Sequence, residues 1–133
     1  MKKIKIYVCG NQLLNFDNKP LSILPRLRKK FNQVEFIAFD PNENLHPHNK
    51  EMIIIDTVID AKKVIYINDI ERITASPQYS LHDFDLGFQL KLLKKIGKLD
   101  RVAIFGVPPD IDENKLFDEL SAILEKYLPL KSN

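Results

Sequence analysis

Residues 51–56 read Glu51-Met52-Ile53-Ile54-Ile55-Asp56 (EMIIID). The stretch is nearly all apolar between its two carboxylates, which is what a central strand covered on both faces requires. Such strands belong to parallel sheets held between layers of helices.

The rest of the chain alternates around this strand. Ile4–Cys9 (IKIYVC) is a β-branched run ending at Gly10-Asn11, and Val34–Phe39 (VEFIAF) is a second strand stopped by Asp40-Pro41. Between them, Leu21, Leu24, Leu27 and Phe31 recur at helical spacing, with a basic last turn at Arg28-Lys29-Lys30. Pro25 either kinks this helix or marks its true start. Lys63–Ile67 (KVIYI) is a shorter strand at or near an edge. Ser80 opens a helix running to about Ile96, with Asp83 in capping-box spacing and Gly97 placed to end it. Arg101–Phe105 (RVAIF) is the last strand, leaving through Gly106-Val107-Pro108-Pro109. Glu113–Tyr127 is an amphipathic terminal helix with Leu116, Leu120, Ile123 and Tyr127 on one side. The expected architecture is a three-layer α/β/α domain over residues 1–133, with a central, mostly parallel sheet of about five strands.

Bulk composition agrees with one domain of ordinary size: 133 residues, 44% hydrophobic and 29% charged. Lys and Arg outnumber Asp and Glu by only 20 to 18, a balance that points to neither a nucleic-acid nor an anionic-membrane partner. No run reaches bilayer length, and residues 1–15 lack a secretory pattern. The one cysteine, Cys9, has no internal disulfide partner, so a cytoplasmic setting is expected.

In open α/β sheets, ligands gather beyond the carboxyl ends of the strands. That rule selects Gly10-Asn11, Asp40, Asp56 and Gly106. Asp17, in the loop after the first strand, is either a helix cap or a site carboxylate. Asp56 ends an apolar strand, where a carboxylate is costly unless paired, hydrogen-bonded or bound to a cation; it either caps the next loop or serves a site. His82 falls in the first turn of its helix, where the dipole disfavours an imidazolium and leaves the neutral, metal-binding form; burial against neighbours explains it equally simply. Asp40 starts a turn or supports the site from behind. His46 and His48 lie in a Pro- and Asn-rich loop and read as surface residues.

Other chemistries lack their residues. Gly10 has no partners for a phosphate loop, no serine sits in a nucleophile elbow, and neither HExxH nor CxxC occurs. Cys9, at the end of an apolar strand, reads as an inert thiol. Two Asp and one His remain, a donor set suited to nickel, zinc or cadmium with open positions.

Taken in order, these pieces resemble the hydrogenase maturation endopeptidases. The matching features are the first strand into Gly10-Asn11-Gln12-Leu13, Asp17 beyond it, the strand IIID ending in Asp56, Ser80-Leu81-His82 opening a helix, and Val102–Pro108 (VAIFGVP). The block SLHDFDLGFQLKLLKKIG (80–97) is similar to archaeal members. The resemblance spans about residues 4 to 127. It implies a metal-dependent endopeptidase, grouped with the aspartic peptidases, that removes a C-terminal peptide from a nickel–iron hydrogenase large-subunit precursor. It also implies that Asp17, Asp56 and His82 ligate one divalent ion, the substrate's nickel, with zinc or cadmium as substitutes. Asp17 and Asp56 would be the catalytic carboxylates, with Asn11 and Asp40 in supporting or docking positions.

The sequence departs from the family at two points. Phe16-Asp17 stands where two adjacent acidic residues are usual, and Asp40-Pro41-Asn42-Glu43 replaces a Gly-rich turn. The alternative functions are a non-catalytic metal- or hydrogenase-binding accessory protein of the same fold, and a metal-free α/β domain that binds a small molecule.

Overall fold

The apolar run at residues 51–56 forms the middle of a five-stranded sheet. In a computed structural model, which describes residues 3–9, 19–39, 45–47, 49–58, 61–69, 71 and 84–130, the strands are β1 (Ile4–Cys9), β2 (Val34–Phe39), β3 (Glu51–Thr57), β4 (Ile65–Ile67) and β5 (Arg101–Val107). Their spatial order is β2-β1-β3-β5-β4. The pairs β1–β2, β1–β3 and β3–β5 are parallel, and only the edge strand β4 runs antiparallel, against β5.

The central position of β3 explains its composition. Met52 to Val58 are all buried, with Ile54 and Ile55 fully so, and burial of each such side chain is worth roughly 1.5–3 kcal/mol. Alternate residues enter two different cores. Ile53 and Ile55 join Ile6, Val8, Phe105 and Val107 beneath Leu24, Leu27, Leu116, Leu120 and Leu124. Met52 and Ile54 join Cys9, Val102 and Ile104 against Leu90 and Leu99. Helices therefore cover both faces, and the architecture is three-layer α/β/α.

The first face carries α1 (Lys19–Ser22), α2 (Leu24–Lys30) and the terminal helix, here α4 (Glu113–Tyr127). Pro25 divides the helix expected over Pro20–Phe31 into α1 and α2. It occupies the first turn of α2, where its missing N–H removes no helical bond. Arg26 lies 4.2 Å over the ring of Phe117 and donates to Asn114 Oδ1 at 3.0 Å, joining α2 to α4. Asp112 caps α4 by accepting from the Lys115 N–H at 3.1 Å.

The second face carries α3 (Phe84–Lys95); Ser80 to Asp83, expected to open that helix, lie outside the described residues. Gly97 ends it with φ +81°. Its N–H donates to Lys94 O at 3.2 Å and that of Lys98 to Leu93 O at 2.9 Å, the paired bonds of a left-handed cap that only glycine enters without strain. The chain then meets β5, where the Asp100 and Arg101 N–H groups both donate to Lys50 O, at 2.8 and 3.1 Å. These two hydrogen bonds to one carbonyl set the starts of β3 and β5 side by side.

Three strand boundaries differ from expectation: β3 runs one residue past Asp56, to Thr57. Gly106 and Val107 do not form an exit turn; they continue β5 and pair with Asp56 and Thr57. β4 begins at Ile65 rather than Lys63. Among the described residues no helix is long and apolar enough to cross a membrane.

Candidate functional site

Because β1, β3 and β5 are parallel, their carboxyl ends lie along one edge of the sheet. Asp56 stands on that edge, in the central strand, one residue before β3 ends. It is 1% exposed and pairs with Gly106, while Ile55 before it and Thr57 and Val58 after it are fully buried. A carboxylate among such neighbours keeps its charge only beside a cation or hydrogen-bond donors. By strand alternation Asp56 faces the same way as Met52 and Ile54, toward α3.

The direction of α3 follows from its exit. The chain leaves Gly97 and joins β5 beside the first residues of β3, so the helix ends at the amino edge of the sheet. Its twelve residues extend about 18 Å back toward the opposite edge. The start of α3 at Phe84 is therefore directed to the carboxyl edge, over the face on which Asp56 lies.

Gly106 belongs to the packing of this edge. A Cβ there would lie 2.6 Å from Val58 Cγ2 and 2.9 Å from Ile65 Cγ1. The bare glycine lets β4 and the segment after β3 close over β5 beside Asp56. Gly106→Ala is expected to destabilise the fold by about 1–3 kcal/mol through overpacking, measured as a fall in the urea midpoint. The sequence drew attention to Gly106 as a strand exit; its physical role is close approach.

A cavity of about 670 Å³ opens on the same edge, lined by Lys62, Pro108, Pro109, Asp110, Asp112 and Lys115 among others. Asp112 is committed there to its cap. Cys9 is fully buried at the end of β1, in no disulfide and out of reach of solvent. His46 is exposed.

Of the site residues named from the sequence, Asp56 alone is described. Asn11, Asp17, Asp40 and His82 lie outside the described residues, as does His48. Among the described residues no three of His, Cys, Asp and Glu are grouped to hold a metal ion. What can be set beside Asp56 is the chain order: Asp17 lies in the segment after β1, its neighbour in the sheet, and His82 two residues before the start of α3.

No protein-family model matches the chain, and no curated protein matches it. Solved structures do. The hydrogenase maturating endopeptidase HybD from E. coli superposes with a TM-score of 0.64 at 17% identity, over 98% of this chain and 96% of that one. The solution structure of an endopeptidase from Escherichia coli superposes with a TM-score of 0.61 at 18% identity, over 97% and 96%. At such identities the likeness concerns the backbone arrangement, and it extends over nearly the whole of each chain. The chain thus has the fold of these two endopeptidases.

Proposed function

We propose that this chain is an endopeptidase that removes a C-terminal peptide from the nickel-loaded large subunit of a nickel–iron hydrogenase, with Asp17, Asp56 and His82 as its working residues. The observation that carries the reading is Asp56, a carboxylate 1% exposed at the carboxyl edge of the central strand, in a chain whose full length matches a hydrogenase maturating endopeptidase in fold. Fold alone does not assign a reaction. A buried carboxylate at the edge where α/β sheets build their sites supplies the chemical half of the argument. The segments after β1 and before α3, which carry Asp17 and His82, adjoin that edge in chain order.

Two carboxylates and a neutral imidazole make a fitting donor set for a divalent ion with open positions. Asp17, Asp56 and His82 would hold the nickel that arrives with the substrate, or zinc or cadmium in its place; a bound ion supplies Lewis acidity toward the scissile carbonyl. The chain's own residues do the rest. Asp17 or Asp56 accepts a proton from a water as its oxygen adds to the carbonyl carbon. The C–N bond breaks, and the proton passes to the leaving nitrogen, so one water is consumed per cut. Asn11 and Asp40 orient the site or the arriving peptide. Because the substrate contributes the ion, a subunit without nickel is not cut. The working setting is the cytoplasm, and the partner is the large-subunit precursor.

Asp17→Ala and His82→Ala test the assignment in a processing assay with a nickel-loaded large-subunit precursor. Each is expected to lower the cleavage rate by about 100-fold or more while the precursor is still bound. Cleavage at the wild-type rate in both variants would refute the site. Binding without cleavage by the wild-type chain would establish the accessory-protein alternative.

A further inference from the structure

Helix α3 buries Leu90 against the sheet and turns a second apolar row outward. Phe88, Leu92 and Ile96 succeed one another at intervals of four residues and are 61%, 46% and 55% exposed. A row at this spacing forms a single ridge on a helix surface. Lys91 and Lys95, both exposed, fall along one flank of the ridge, and Lys94 is exposed on the same helix. From Leu86 to Leu99 the sequence contains no acidic residue, and no described carboxylate pairs with these three lysines. Singly scattered apolar side chains need no explanation, but a contiguous row rimmed by charge marks an interaction surface.

We propose that this outer face of α3 docks an acidic amphipathic helix of a partner protein. The ridge supplies the shape, since residues four apart on one helix pack into the groove of another. The lysines supply the sign: with cations along the flank and no acidic residue between Asp85 and Asp100, complementarity requires acidic residues bordering the partner's apolar stripe. A second copy of this chain is a poor occupant, because pairing like faces across a two-fold axis would set lysines against lysines. A bilayer is also a poor one. The opposite side of α3 is committed to the sheet, which leaves only this narrow row for the acyl boundary. The surface is independent of the endopeptidase reading and stands or falls separately from it.

The test uses the full chain and a fluorescent synthetic helical peptide of about 18 residues, with Leu along one face and Glu elsewhere, read by anisotropy at low and physiological salt. The expected result is binding that weakens with salt and that Leu92→Ser reduces about tenfold or more. The double variant Lys91→Glu, Lys95→Glu is expected to lose this peptide and to bind a version carrying Lys in place of Glu. All three substituted residues are exposed, so the urea midpoint should stay at the wild-type value. Equal binding by wild type and variants, or no binding of the peptide, would overturn the proposal. So would association with phosphatidylglycerol vesicles in place of the peptide, or self-association abolished by Leu92→Ser.

Discussion

Replacing Asp56 by Asn is expected to reduce processing of the hydrogenase precursor by about 10²–10⁴-fold, the usual contribution of a positioned acid–base carboxylate. The fold should survive. Asn keeps the volume of Asp and one of its two acceptor oxygens while removing a charge from a position 1% exposed, and a neutral amide costs less to bury than a carboxylate. The urea midpoint is therefore expected to hold or rise as activity is lost. That opposition separates a functional carboxylate from a structural one. If Asp56 only capped the segment after β3, the variant would lose stability and keep its activity. Urea denaturation and the processing assay on the same preparation read both quantities.

The second large effect is on stability. Phe105 is fully buried in β5, paired with Ile55 on one side and Tyr66 on the other. Its ring centre lies 5.2 Å from that of Tyr66, which in turn stacks on Tyr127 at 3.9 Å. One side chain thus ties the central strands to the edge strand and to α4. Phe105→Ala is expected to cost about 3–5 kcal/mol, a large share of the roughly 5–15 kcal/mol that holds a domain folded. The urea midpoint should fall by about 1 M or more. Phe88→Ala, at a position 61% exposed, should move it hardly at all. A small effect at Phe105 would contradict the packing described for this sheet.

The contrast between these two phenylalanines shows what the sequence conveys. Strands β1 and β2 and helix α4 occupy the residues that local composition indicates, because β-branched runs and the spacing of Leu116, Leu120 and Ile123 are local signals. The order β2-β1-β3-β5-β4 and the reversal of β4 are not local. They depend on which edges meet once the helices cover both faces, and no run of residues encodes that. Gly106 illustrates the difference. Beside Val107 and two prolines it has the composition of a turn, yet it extends β5 by pairing with Asp56 and Ile65, and Val58 and Ile65 approach too closely for a side chain there. The helical period locates Phe88, Leu92 and Ile96 on one stripe, but that Leu90 rather than this stripe faces the sheet emerges only from packing.

The candidate site divides in the same way. Asp56 was legible because a carboxylate closing an apolar strand is conspicuous, and the parallel sheet brings that strand's end to the edge where ligands gather. Asp17 and His82 carry no comparable local mark. A loop aspartate and a first-turn histidine have ordinary structural uses as cap and as packed side chain. They stand out only through the ordered resemblance to the hydrogenase maturation endopeptidases, and both lie outside the described residues.

The account rests on two carboxylates and an imidazole, far apart along the chain, gripping a common ion. A crystal grown with cadmium or nickel and measured at the metal's absorption edge tests this directly. The account predicts one anomalous peak bonded to Asp17, Asp56 and the His82 ring together, at about 2.0–2.4 Å. A peak held elsewhere, or those three side chains too far apart to share an ion, would contradict it.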